Sequence, residues 1–211
     1  MMTAPRQPKL RGELRLNESL RRYNTWRVGG AARQMYLPAD VEDLSHFLAN
    51  LPVDEPLLWL GLGSNLLIRD GGFDGTVILL QGCLSALHVD QQRVFAEAGV
   101  ACAKVARTSA RAGLTGAAFL AGIPGTMGGA LAMNAGAFGG TTWAVVEQVL
   151  TIDRQGRLHR RPPQDFDIDY RQVGRPAQEW FVACRLCLAS GDTAAEQAAI
   201  RTLLDRRAAS V

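Results

Sequence analysis

Leu57-Leu-Trp-Leu-Gly61-Leu-Gly63-Ser64-Asn65-Leu66-Leu-Ile-Arg69 is the stretch on which the fold turns. The apolar run behind Pro56 reads as a buried strand, Gly61–Asn65 as a turn, and Leu66–Arg69 as chain that stays extended. A Rossmann fingerprint carries a third glycine and opens a helix whose N-terminus meets a pyrophosphate. Here position 66 is leucine and the following residues are strand-like, so the fold is not Rossmann. Two readings of the turn stay open. It is either a nest of backbone N–H groups that cradles phosphates, with Ser64 and Asn65 adding side-chain donors, or an ordinary tight turn between strands.

Upstream, Gln34–Leu37 reads as a strand, and Asp40 as the N-cap of a helix with Val41, Leu44, Phe47 and Leu48 on one apolar face. Residues 1–18 are polar and proline-containing, which predicts a mobile segment. Downstream, Asp70–Gly75 turns and Thr76–Leu80 is a further strand, giving a small β-α-β unit with extra strands. Leu87–Val89 and Val94–Ala98 flank Asp90–Arg93 as a hairpin. Ala101–Ala112 is helix-compatible up to a Gly113 stop. Val149–Asp153 and Arg157–Arg160 form a second hairpin around Gln155-Gly156, Trp180–Leu188 reads as a long strand, and Ala194–Ala208 as a helix.

Residues 113–140 are glycine-rich, a composition that a flexible linker would share. Serine is absent, however, and Phe119, Ile123, Met127, Met133 and Phe138 punctuate the stretch as apolar anchors. This predicts a packed, functional loop. Within it, Gly122, Gly125, Gly128 and Gly129 permit close backbone approach, while Pro124 and Thr126 fix the turn and supply a hydroxyl. No Gly-Lys-Ser/Thr follows, so it is not a Walker loop. Asn134-Ala-Gly136 extends the same surface. Two donor-rich loops are what a large, flat, pyrophosphate-bearing ligand requires.

The bulk numbers narrow the class. A chain of 211 residues suits one large domain or two small ones, at roughly 150 residues per domain. A net charge of +3 makes no claim on nucleic acid or on a membrane surface. Among the 23 basic residues only Lys9 and Lys104 are lysines, and no basic run exceeds two residues. Arginine forks suit phosphates and carboxylates, but codon bias gives the same count and is the preferred account. Apolar runs such as Leu57–Leu62 fall well short of the ~18 residues of a membrane span, and Met1–Leu10 has no signal core. A cytoplasmic location with four reduced cysteines is expected. Cys184 and Cys187 form a lone Cys-x-x-Cys on a strand where i and i+3 face opposite ways, which favours two buried structural cysteines over a metal site. No metal is expected.

Asn24-Thr-Trp-Arg-Val-Gly29-Gly30, Gly61-Leu-Gly-Ser-Asn65, Ala121–Ala130 and Met133-Asn-Ala-Gly136 together resemble, in order and spacing, the UDP-N-acetylenolpyruvoylglucosamine reductase family. The likeness extends over residues 20–190. It implies an α+β, two-subdomain FAD-binding fold of the vanillyl-alcohol-oxidase/PCMH type. It further implies a mobile 1–19, flavin-binding subdomains over 20–82 and 83–192, and a helix over 193–211 that leads toward a third, substrate-binding domain lying beyond this chain. The implied cofactor contacts are Gly61, Gly63, Ser64, Asn65 and Leu66 on the pyrophosphate, with Gly122, Ile123, Pro124, Gly125, Thr126, Gly128, Gly129, Asn134 and Gly136 bordering the flavin. The Asn24–Gly30 segment would close the first subdomain onto the cofactor.

The implied reaction is NADPH-driven, FAD-dependent reduction of UDP-N-acetylglucosamine enolpyruvate to UDP-N-acetylmuramate, in peptidoglycan synthesis. Asp169-Tyr170-Arg171 resembles the family's Tyr-Arg motif, which makes Arg171 and Tyr170 the implied catalytic residues; a guanidinium stays charged and grips a carboxylate with two hydrogen bonds. Without the resemblance, Arg171 reads as a surface residue paired with Asp167 or Asp169. The family commonly has Ser two residues beyond this arginine, where the chain has Val173. The family's proton-donating serine and distal glutamate belong to segments that this sequence does not contain. Two other readings stand beside the reductase: another oxidoreductase of the same flavin fold, and a non-catalytic flavin-binding module. Covalent flavin attachment would favour the first of these, yet neither loop holds a histidine.

Overall fold

In the computed structural model, which describes residues 9–209, two sheets stand side by side with a cleft between their loops. The first sheet holds β1 (Glu13–Ser19), β2 (Ala31–Leu37), β3 (Leu57–Leu60) and β4 (Phe73–Leu79), in the order β1-β2-β4-β3. β2, β4 and β3 run parallel, while β1 is antiparallel to β2. Helix α1 (Val41–Ala49) makes the crossover from β2 to β3, and the Asp40 carboxylate caps it by accepting from Asp43 N at 2.9 Å.

The N-terminal segment departs from expectation. Rather than being mobile throughout, Glu13–Ser19 is a strand paired along β2. The residues before it are tied down too: buried Asp43 accepts from Arg11 N at 2.7 Å, and also from Tyr36 Oη and Ala39 N. Residues 1–8 lie outside the described residues.

The second sheet is antiparallel. It contains β5 (Leu87–Asp90) and β6 (Arg93–Glu97), which form the expected hairpin. Helix α2 (Cys102–Arg111) follows and stops before Gly113, whose φ of +70° favours glycine. The glycine-rich region is not loop throughout. It folds into β7 (Leu114–Thr115), a 3-10 turn at Ala118–Gly122, helix α3 (Met127–Ala132), and a two-strand ribbon of β8 (Gly136–Ala137) and β9 (Gly140–Thr141).

Next come β10 (Val146–Asp153) and β11 (Leu158–Arg161), a small hairpin of β12 (Asp167–Asp169) and β13 (Gln172–Gly174), and β14 (Glu179–Cys187). Strand β15 (Ala189–Ser190) pairs with β7, and α4 (Thr193–Ala208) closes the described chain. The second sheet's order is β11-β10-β14-β6-β5. Cys184 on β14 is buried in its core, but Cys187 is exposed. The strand's period of two sends i and i+3 to opposite faces, so only one of the two cysteines is structural. Burial pushes the Cys184 and Cys102 thiols up to about 12, which leaves both protonated and inert.

Three cores hold the molecule. One lies within each sheet layer, and a third, built from Tyr36, Leu44, Phe47, Ile78, Leu80, Ile152 and Val182, joins the two layers. Trp59 of β3 stacks on Trp180 of β14 with ring centroids 5.1 Å apart. The tip of the β10–β11 hairpin locks onto α1: Ser45 Oγ donates to Gly156 O at 2.6 Å, and buried Arg154 donates to Pro52 O and Glu55 O. The two layers are thus fixed against each other on the side away from the glycine loops.

Candidate functional site

The glycine loops face each other across a cleft of about 980 Å³, at the upper end of the ~300–1,000 Å³ typical of ligand sites. Gly61, Gly63, Ser64, Asn65 and Leu66 form one wall, and Gly122 through Thr126 with Gly129 form the opposite one. Asn134 and Gly136 continue the second wall, and Tyr170 and Arg171 lie at the rim. The structure therefore brings together fifteen of the sixteen expected site residues, the exception being Gly128. Its N–H donates to Ala98 O at 2.9 Å, and a β-carbon there would meet the Ala98 side chain at 2.9 Å. Gly128 is a packing glycine that lets α3 approach the second sheet.

The first loop is shaped from behind. Thr25 N donates to Gly63 O at 3.2 Å, and buried Asn24 spans its own turn by donating to Leu20 O and Val28 O. Gly63 has φ +63°, and a β-carbon there would collide with Tyr23 O. The Asn24–Gly30 segment thus buttresses the loop and does not itself line the cleft. Across the gap, a β-carbon on Gly61 would collide with the Thr126 hydroxyl, so glycine at 61 lets the two loops close up. Asn65 Nδ2 donates to the Met133 thioether at 2.8 Å and ties the first loop to the end of α3.

Two observations define what the cleft takes. The backbone N–H groups of Gly63, Ser64, Asn65 and Leu66 donate to nothing among the described residues, a run of unspent donors at one wall. Across from them, glycine leaves room. A β-carbon on Gly125 would come no closer than 3.7 Å to any atom, with Ser64 Oγ at 3.9 Å, and one on Gly129 would meet only Thr126 Oγ1 at 4.0 Å. Of the lining residues only Asp169 and Arg171 are charged. A diphosphate here is received by backbone dipoles and hydroxyls, while the apolar remainder, including Ile123, Phe138 and Ile168, suits a flat ring system. These features fit FAD.

Arg171 is set apart from this frame. It occupies the second position of the two-residue turn between β12 and β13, with φ +54°, a region non-glycine residues rarely adopt. Among the described residues it has no ion pair with Asp167 or Asp169; its guanidinium carbon sits 5.6 Å from the centroid of the Tyr170 ring. The turn is held by Asp169 Oδ1 accepting from Tyr170 N at 2.6 Å, and by Asn134 Nδ2 donating to Asp169 O at 3.3 Å. Asn134, itself at φ +39°, also accepts from Trp143 N at 3.2 Å, so one side chain links the α3 loop to the arginine turn. Val173 pairs with Ile168 and packs on the core of the second sheet. Sequence reasoning missed Trp59, Thr141 and Ile168 as lining residues, and it read Phe138 as an anchor, although the residue is 44% exposed and lines the cleft.

A fold of this kind, with diphosphate-sized glycine loops between a mixed and an antiparallel sheet, defines an FAD-binding protein, and the family model for the FAD binding domain matches residues 32–161. The chain is 58% identical over 209 residues to UDP-N-acetylenolpyruvoylglucosamine reductase of Alkalilimnicola ehrlichii, covering 98% of this chain and 69% of that protein. The crystal structure of UDP-N-acetylenolpyruvylglucosamine reductase from Thermus caldophilus superposes with a TM-score of 0.76 at 30% identity, covering 93% of this chain and 69% of that one. 6-Hydroxy-D-nicotine oxidase from Arthrobacter nicotinovorans matches at a TM-score of 0.63 but 14% identity, over 90% of this chain and 44% of that one, and shares the fold alone. The chain belongs to the UDP-N-acetylenolpyruvoylglucosamine reductase family, within the vanillyl-alcohol-oxidase/PCMH type of flavin fold. It spans 64–69% of the length of the relatives compared. No helix among the described residues is long and apolar enough to cross a membrane.

Proposed function

We propose that this chain is the flavin-holding part of an NADPH-driven reductase that converts UDP-N-acetylglucosamine enolpyruvate to UDP-N-acetylmuramate. The observation that carries the reading is the cleft itself, which is lined on one wall by Gly63–Leu66, whose N–H groups have no partner among the described residues, and on the other by Gly125 and Gly129, which leave open space. Bound FAD would supply a hydride relay between NADPH and the substrate double bond. The chain's own residues do the rest. Gly61–Leu66 and Gly122–Thr126 with Gly129 hold the diphosphate and border the ring, with Asn134 and Gly136 continuing the border.

Arg171 is the group suited to the substrate. Its guanidinium is charged, exposed and free of a carboxylate partner among the described residues, so it can take the enolpyruvyl carboxylate with two hydrogen bonds. Charge developing on that carboxylate during hydride addition strengthens the pairing, which lowers the barrier as well as binding the substrate. Tyr170 backs the guanidinium with its ring face. The subdomain limits, 20–82 and 83–192, are part of the same proposal, with the first extended to take in β1 (Glu13–Ser19).

The test is NADPH oxidation by the FAD-loaded chain, with and without UDP-N-acetylglucosamine enolpyruvate. Substrate-dependent oxidation supports the reductase reading. Flavin binding with no response to substrate supports a flavin-binding module that does not turn over by itself.

A further inference from the structure

The hairpin that carries Arg171 has little of its own to hold it. Strands β12 and β13 pair only with each other, over three residues each, and a ribbon that short has no independent stability. Ile168 and Val173 pack on the core of the second sheet and anchor its apolar side. Its polar side has one tie. Among the described residues, the single hydrogen bond from 167–174 to any other part of the chain is the one that Asp169 O accepts from Asn134 Nδ2 at 3.3 Å. That carbonyl immediately precedes the Tyr170-Arg171 turn.

Asn134 is placed for this by the way α3 ends. Ala135 N donates to Ala130 O at 2.9 Å and Asn134 N to Leu131 O at 3.4 Å, the closure of a Schellman motif, which puts Asn134 in the left-handed position at φ +39°. Glycine is the usual residue there, with asparagine second. In a loop otherwise rich in glycine, this one position carries a side chain, and both ends of it are spent. The amide oxygen accepts from Trp143 N at 3.2 Å while the amide nitrogen donates to Asp169 O. Trp143 N can only donate and Asp169 O can only accept, so the two partners fix which way the amide points. The Trp143 end is rigid: that residue is buried, its Nε1 donates to Leu131 O at 2.8 Å, and its ring packs against Phe166 and Phe181. The Asp169 end is exposed. The preceding residue, Met133, accepts from Asn65 of the first loop. Two consecutive residues therefore tie the end of α3 to the diphosphate loop on one side and to the arginine turn on the other.

Resting on the reading of Arg171 above, we propose that Asn134 is a positioning residue for substrate recognition. Its amide transmits the rigidity of the Trp143 core to the turn and holds the Arg171 guanidinium at a fixed place relative to the flavin border. Small misplacements of a group that orients a substrate are costly, which gives a lone bond to this carbonyl its weight.

The test is a double-mutant cycle. The chain, its Asn134→Gly and Arg171→Ala variants and the double variant are titrated with UDP-N-acetylglucosamine enolpyruvate and read from flavin absorbance. Saturating FAD removes any loss of cofactor affinity from the comparison. Glycine keeps the left-handed backbone and deletes only the amide. Asn134→Gly is expected to weaken the substrate about threefold to tenfold, as for one hydrogen bond, and to have no further effect once Arg171 is alanine. An equal loss in both backgrounds, or no loss in either, would overturn the proposal. Asn134→Asp keeps an acceptor for Trp143 N but cannot donate to Asp169 O, so it should weaken the substrate at least as much as glycine does. Wild-type affinity in Asn134→Asp would trace the effect to the Trp143 bond and overturn the proposal as well. A wild-type chain that binds FAD but whose spectrum ignores the substrate would remove the reading of Arg171, and this inference with it. One that binds no FAD would remove the flavin reading itself.

Discussion

The Gly61–Leu66 loop and the Tyr170-Arg171 turn border the same cleft and are built in opposite ways. The loop is braced from behind by the Asn24 turn and from the front by Thr126, and its central glycine has no room for a β-carbon. The turn is exposed, with Tyr170 81% accessible, and hangs on one backbone-to-carboxylate bond and one contact from Asn134. A cofactor that stays bound through every cycle is served by a preformed cradle, which spends no binding energy on ordering. A substrate that arrives and leaves is served by a charged group on a short, adjustable turn. Arg171 also sits in the left-handed region at a cost of roughly 1–2 kcal/mol, a strain the neighbouring strand pairing sustains.

This contrast can be broken most severely at Gly63. Gly63→Ala combines an unfavourable φ with a collision against Tyr23 O, and we expect a loss of roughly 3 kcal/mol in urea unfolding together with loss of flavin retention. Unchanged stability would show that the loop is not braced as described. Arg171→Ala acts on the other side of the comparison. Flavin affinity should be preserved, whereas affinity for the enolpyruvyl substrate, read from the shift it causes in flavin absorbance, should fall roughly tenfold to a hundredfold, as for a lost charged hydrogen bond. Parallel loss of both ligands would place Arg171 in the cradle instead.

The frame beneath both regions has its own pH signature. Burial opposes ionisation of Asp153, but bonds from His159 and Arg157 outweigh it and hold the carboxyl down to about 2. A carboxyl depressed in the folded state contributes stability that is present above its unfolded pKa and is lost as pH falls from about 4 through about 2. Asp153 should therefore supply roughly 2 kcal/mol at neutral pH that disappears in that window. Asp153→Asn is expected to be less stable at pH 6 and to show a flatter acid limb. An acid limb identical to wild type would assign the pH dependence elsewhere. The smallest effect on stability is at Gly129. Gly129→Ala should raise stability by roughly 0.5–1 kcal/mol, because alanine suits α3 and no protein atom lies closer than 4.0 Å, while flavin affinity falls because the methyl enters the cleft.

Much of this was legible in the chain. Leu66 in place of a third glycine ruled out a Rossmann helix, and the structure has no helix after that loop. Four hydrophobic positions and Asp40 defined α1, because an amphipathic helix with a cap declares itself locally. β1 did not. Its Leu14 and Leu16 are 49% and 68% exposed, so the strand is fixed by backbone pairing with β2 and by the Asp43 network, neither of which leaves a periodic pattern. The α3 helix was hidden by Gly128 and Gly129, poor helix formers kept for closeness to Ala98 and to the cleft. At the site, the glycine loops announced themselves by composition. Trp59, Thr141 and Ile168 did not, since they are distant in sequence and only the folded chain brings them to one cleft.

The central claim is that the cleft between the glycine loops holds one FAD per chain. Titrating the purified chain and its Gly129→Ala variant with FAD, alongside urea unfolding of both, tests it most directly. The account predicts saturable binding at one FAD per wild-type chain, and weakened binding by a variant that is at least as stable. Wild-type chain that stays colourless after reconstitution, or a variant that binds FAD as tightly as wild type, would contradict it.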